Sequence, residues 1–144
     1  MLYRKTIEVP CSPGEAFDYV SDFSHVAEWD PAVVESRALG DDSRIDVGSR
    51  FELIGLFRGN RQRFEYIVTE LEEGRRISLL GDGEKARSRD EISVADVDGK
   101  TQITYEADIS LKGVRRAAEP FLGRMFRRMG DDALEGLRRK LGAR

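Results

Sequence analysis

Apolar side chains recur along this chain with two different periods, and the switch between them outlines the fold. From residue 33 to residue 111 they alternate with polar ones, as in strands with one covered face. From about residue 114 to residue 141 they return at helical spacing, through Ala118, Phe121, Leu122, Met125, Met129, Ala133 and Leu137. Pro120 falls inside that pattern and predicts a late start or a kink. A further strand, Leu2–Val9, stands in front. After it, Ser12 can cap a helix that has Pro13 in its first turn and Glu15 reaching back. Asp22 can cap a second short helix over residues 23–29, which Pro31 ends.

The turns fix a register. Gly59-Asn60, Glu73-Gly74, Asp82-Gly83 and Asp98-Gly99 each suit a two-residue hairpin loop. Centred there, the loops place Phe57 opposite Gln62, Leu53 opposite Tyr66 and Phe51 opposite Val68. They also pair Val68 with Leu79, Glu70 with Ile77, Leu79 with Ala86, Ile77 with Ser88 and Ile92 with Tyr105. All four hairpins are then in phase. One face collects Phe51, Leu53, Phe57, Phe64, Tyr66, Val68, Ile77, Leu79, Ile92, Val94, Ile103, Tyr105, Ile109 and Leu111, and the other is charged. The expected fold is α+β: a curved antiparallel sheet of about seven strands wrapped around a long C-terminal helix, with two short helices after the first strand.

Composition narrows the function. The chain has 144 residues, enough for one domain over 1–144, and a net charge of −3 that gives no overall nucleic-acid footprint. The arginines of the last helix alternate with Glu119, Asp131, Asp132 and Glu135, as on a solvated face. A single cysteine, Cys11, excludes an intramolecular disulfide and a Cys-rich zinc site. With no apolar signal core and no membrane-length run, stable membrane insertion is not expected and cytoplasm is the expected address. No glycine-rich phosphate loop and no metal-ligand spacing stand out, so neither cofactor nor metal is expected.

The stretch 7–23, IEVPCSPGEAFDYVSDF, resembles the N-terminal signature of the polyketide cyclase/dehydrase family, within the START and plant-allergen-like (SRPBCC) superfamily. Trp29-Asp30-Pro31 is similar to the Trp-x-Pro that follows it, and Val47-Gly48-Ser49 to the glycine before the third strand. The resemblance covers essentially the whole chain. It implies a helix-grip fold and a cavity between the sheet's inner face and the long helix. It does not choose among cyclases, lipid carriers and hormone receptors.

The register by itself predicts the lining of that cavity, or of a solid core. Candidate ligand-binding residues are Trp29, Phe51, Leu53, Phe64, Tyr66, Leu79, Asp90, Ile92, Tyr105, Phe121, Met125 and Met129. Asp90 falls on the apolar face, where a carboxylate is costly and its pKa rises; it reads as a ligand anchor or general base, or as a strand irregularity. Tyr66, Tyr105 and the lone histidine, His25, complete the candidate catalytic set. Asp30, beside Trp29, reads as a cap or an ion-pair partner and is assigned no chemistry. Strict alternation turns Lys5 inward too, unless its long side chain reaches water at an edge. On the outer face, Ile54, Leu56, Ile67 and Leu80 mark a dimer contact or a slipped register, so the chain is monomer or homodimer. The expected function is binding or transport of a small hydrophobic molecule: a lipid, polyketide, terpenoid or aromatic metabolite. The alternatives are a cyclase, aromatase or dehydratase using the same cavity, or a co-chaperone-like protein-interaction domain.

Overall fold

The structure is a computed structural model that describes residues 1–40 and 44–142. Strand β1 (Leu2–Val9) leads into α1 (Pro13–Val20), a 3-10 turn (Phe23–His25) and α2 (Val26–Trp29). The meander follows: β2 (Val33–Leu39), β3 (Arg50–Phe57), β4 (Asn60–Glu72), β5 (Arg76–Gly83), β6 (Ala86–Val97) and β7 (Lys100–Leu111). A 3-10 segment (Gly113–Ala118) precedes α3 (Glu119–Gly142). Pro120 thus sits in the first turn of α3, where its missing N–H costs nothing, and the helix starts late as the pattern required.

The described residues form one antiparallel sheet in the order β1-β7-β6-β5-β4-β3-β2. Only β1 is out of chain order, and it closes on β7 with Lys5 opposite Tyr105. The local start signals hold. Ser12 accepts from the Glu15 N–H at 3.2 Å, and Asp22 Oδ1 accepts from the Ser24 N–H at 3.0 Å.

The face assignment is correct except beside a bulge in β4, two of the four turns lie elsewhere, and the turn at Glu73-Gly74 is one residue longer than expected. The β6/β7 hairpin turns at Asp98-Gly99 and pairs Ile92 with Tyr105 as expected. The β3/β4 hairpin turns at Arg58-Gly59, not Gly59-Asn60, because glycine is favoured at the second central position of such a loop. Arg58 and Asp98 take the first position at φ 51° and 53°. Phe51 therefore faces Tyr66 and Leu53 faces Phe64. Between β4 and β5, Val68 does face Leu79, but a bulge after it sets Glu70 against Ser78 and brings Leu71 opposite Ile77. The β5/β6 turn lies beyond Asp82-Gly83, so Leu79 faces Asp90 and Ile77 faces Ile92. The β3/β4 and β5/β6 shifts move each pairing by an even number of residues, which leaves every side chain on its face.

Gly81 and Gly83 explain the last difference. They are strand residues, not turn residues, and each lies beneath an aromatic ring. A Cβ on Gly81 would stand 2.5 Å from the Tyr66 ring, and one on Gly83 2.8 Å from Phe64. The glycines let these two rings lie flat across β5.

The helix stripe also needs correction. Ala133, Leu134, Leu137 and Leu141 are buried and set the phase of α3. Counting back in steps of three and four gives Met129, Phe126 and Leu122. Phe121 is one residue off that stripe and is 86% exposed. This is the helix-grip arrangement, with α3 gripped in the concave face of the sheet.

Candidate functional site

The sheet's inner face serves two regions. Toward one end, Ile7, Val9, Val68, Ile77, Leu79, Ile92, Val94 and Ile103 pack with Phe17, Val20, Leu137 and Leu141 into a closed core. Toward the other, the first half of α3 touches the sheet only in places, with Phe126 stacked on Phe57 and Gly130 against the Tyr3 ring, and a cavity of about 430 Å³ lies between them. Leu53, Phe64, Ile109, Leu111, Leu122 and Phe126 give it apolar walls. Lys85 and Arg115 line one end, and Asp30 and Asp90 also open onto it.

Asp90 is held at the point where the two regions meet. It lies in the sheet row Val68–Leu79–Asp90–Ala107–Tyr3, next to the row Phe51–Tyr66–Gly81–Ser88–Ile109. Its side chain is 3% exposed. The Ser88 hydroxyl donates to Oδ1 and the Tyr105 hydroxyl donates to Oδ2. Tyr66 reaches the same group from β4, with its ring over Gly81 and its hydroxyl at Ser88. Asp30 approaches from the end of α2, its Oδ1 accepting from the Ala32 N–H at 2.9 Å.

Burial pushes the Asp90 carboxyl up to about 6, against the opposing pull of the Ser88 and Tyr105 hydrogen bonds. Asp30 is raised to about 6 chiefly by burial; the Ala32 N–H opposes this, and the negative charges of Asp90 and Asp132 add to it. Burial, and then the Asp90 charge, push the Tyr66 and Tyr105 hydroxyls well above their ordinary value. Both phenols therefore remain donors at neutral pH. The arrangement offers a cavity with mostly apolar walls, two carboxyl groups raised by burial to about 6, and hydroxyls to orient a polar group.

Of the residues singled out from sequence, Trp29, Leu53, Phe64, Tyr66, Asp90, Tyr105 and Met129 line this cavity. Phe51, Leu79 and Ile92 share their face but lie in the closed region, where Phe51 contacts Phe23 at 6.2 Å between ring centroids. Phe121 points into solvent, and Met125 is half-buried outside the wall. His25 is also off the wall: its ring stacks on Tyr19 at 4.6 Å, and its Nδ1 lies 2.9 Å from the Tyr19 carbonyl oxygen. Lys5 turns toward α3 and pairs with Asp131 at 3.4 Å. The outer cluster is split, because Ile67 and Leu80 are adjacent whereas the Glu52–Glu65 pair separates them from Ile54.

A family model described as polyketide cyclase / dehydrase and lipid transport matches residues 3–142. The chain belongs to this family. Among solved structures it resembles the protein TTHA0849 from Thermus thermophilus, with 13% identity and a TM-score of 0.83 over 99% of this chain and 98% of that one. A START superfamily protein from Mycobacterium smegmatis shares 22% identity at a TM-score of 0.73, covering 99% and 94%. The Zhui aromatase/cyclase from a Streptomyces species shares 13% identity at a TM-score of 0.80, covering 98% and 93%. No curated protein sequence matches. At these identities the structural likeness establishes the fold.

Sequence reasoning misses Asp30, Lys85 and Arg115 as cavity residues. A usable signal is present in β5: two glycines, one residue apart, opposite two aromatic residues, which marks rings crossing a strand toward one spot.

Proposed function

We propose that the chain binds a small, largely apolar molecule in the cavity between the sheet and α3 and acts as its carrier. The observation that carries this reading is the cavity itself. Protein interiors pack with few voids larger than a water molecule, whereas about 430 Å³ lies within the range of small-molecule sites. Apolar walls with a few convergent polar groups suit such a ligand, and the family description names lipid transport.

Nile red, whose emission rises in apolar surroundings, tests this. The protein is expected to enhance its fluorescence saturably, and Leu122→Trp, which fills the chamber from α3, is expected to weaken binding by about tenfold. Equal binding by both proteins would place the dye elsewhere and contradict the reading.

Asp90 favours a second reading, an enzyme of the cyclase, aromatase or dehydratase kind. A buried carboxyl held near 6 on the cavity wall suits general acid–base work, with Tyr66 and Tyr105 orienting a carbonyl. This predicts turnover that Asp90→Asn abolishes while Nile red still binds.

A further inference from the structure

The charges around the cavity are unevenly placed. Asp30 and Asp90 both line it on the same side, the Asp90 charge opposes ionisation of Asp30, and Asp132 adds to the field on Asp30. Among the described residues, neither carboxylate has an ion-pair partner. Asp90 receives two neutral hydroxyls, and Asp30 receives one backbone N–H. Lys5, the cation that alternation would have sent inward, is taken by Asp131 at the rim. The cationic residues that do line the cavity, Lys85 and Arg115, stand at its far end. Ala86, next to Lys85, is four residues from Asp90 along β6, about 13 Å at strand rise.

The rings around the carboxylates are a second, separate feature. Phe23, Trp29, Phe64, Tyr66 and Tyr105 all line the cavity. Trp29 meets Tyr105 at 6.2 Å and Phe23 meets Tyr66 at 5.2 Å between centroids. Aromatic faces attract cations, and a buried carboxylate without a counter-ion leaves its charge uncompensated. One ligand group satisfies both features.

We propose that the cavity selects an amine carried on an apolar body, with its ammonium group seated at Asp30 and Asp90 among Trp29, Tyr66 and Tyr105. The proposal rests on the cavity being a ligand site and specifies the class of ligand. Opposite charge at the two ends fixes the orientation: ammonium inward, apolar body along Leu53, Ile109, Leu122 and Phe126. The far end, at Lys85 and Arg115, rejects a second ammonium and tolerates an acidic group.

Isothermal titration calorimetry at pH near 7.5 with phenylbutylamine, phenylbutanol and phenylbutyrate tests this, because the three probes share one apolar body. The amine is expected to bind at least about tenfold more tightly than the alcohol, and the carboxylate most weakly. In Asp90→Asn and Asp30→Asn the ratio of amine to alcohol affinity is expected to fall to about threefold or less. Equal affinity for amine and alcohol, or a preference for the carboxylate, overturns the amine proposal and leaves the cavity reading standing. Failure of all three probes together with Nile red overturns both. The comparison within the unmodified protein needs no variant to fold.

Discussion

One sheet face carries two regions built from the same alternating pattern, yet one is solid and the other hollow. In the solid region, aliphatic residues of β5, β6 and β7 meet Leu137 and Leu141 of α3, and Ile77, Leu79, Ile92 and Ile103 are fully enclosed. In the hollow region the aliphatic residues Leu53, Ile109 and Leu111 are interspersed with aromatic, small and polar ones: Phe64, Tyr66, Ser88, Ala86, Asp90, Tyr105 and Ala107. The helix above them offers Leu122, Phe126 and Met129; Phe126 stacks on Phe57 of β3 at 5.5 Å between ring centroids, and the cavity lies beside that contact. The same binary pattern thus encodes both a core and a chamber, and side-chain volume decides which forms.

The difference can be broken from either side. The largest expected effect is at the solid end. Leu137→Ala removes a fully buried side chain and should cost about 3 kcal/mol, measured by urea denaturation. Gly136→Ala should be nearly as severe, about 2 kcal/mol or more. Its Cβ would fall 2.0 Å from the Trp29 carbonyl oxygen, and that close approach seats α3 on α2. Leu122→Ala, over the chamber, should cost about 1 kcal/mol or less in the same measurement, because it widens a space that already exists.

The chamber should also show itself through pH. Asp90 rises from 3.8 to about 6 on folding, so the folded state holds its proton more tightly than the unfolded chain. Its contribution is therefore neutral below the unfolded value. Stability is lost progressively as pH rises from about 4 through about 6, up to about 3 kcal/mol once the group is ionised in both states. Asp90→Asn should remove the Asp90 share of that slope and leave the share of Asp30, which is also raised to about 6, so the variant should gain on the unmodified protein above pH 6 in matched melts. A slope that persists unchanged would show that Asp90 does not contribute to it.

The smallest effect should come from Phe121→Ser, within about 0.5 kcal/mol, since that ring is exposed. The helical pattern alone puts Phe121 in the stripe, and this variant separates pattern from phase.

Much of the fold was legible because alternation and turn chemistry are local. The strand and helix order, the two caps, and the faces of the strand residues from Phe51 to Leu111 could be read directly, except at Glu70 and Leu71 beside the bulge. Turn positions were less legible, since Gly83 looks like a turn residue until Phe64 is placed above it. The site was partly legible. Asp90 stood out as a carboxylate on an apolar face, and Tyr66 and Tyr105 followed from register. Asp30 did not, because its position depends on how α2 docks, a long-range event with no period. Phe51, Leu79 and Ile92 were indistinguishable from cavity residues, because alternation assigns a face but not a depth.

The most direct test of the hollow region is an NMR titration of methyl-labelled protein with phenylbutanol, reading intermolecular contacts between ligand and methyl groups. Contacts are expected at Leu53, Ile109, Leu122 and Met129 and absent at Ile77, Ile92 and Leu137. Contacts confined to Ile67 and Leu80 on the outer face, or none at saturating ligand, would contradict a ligand chamber between the sheet and α3.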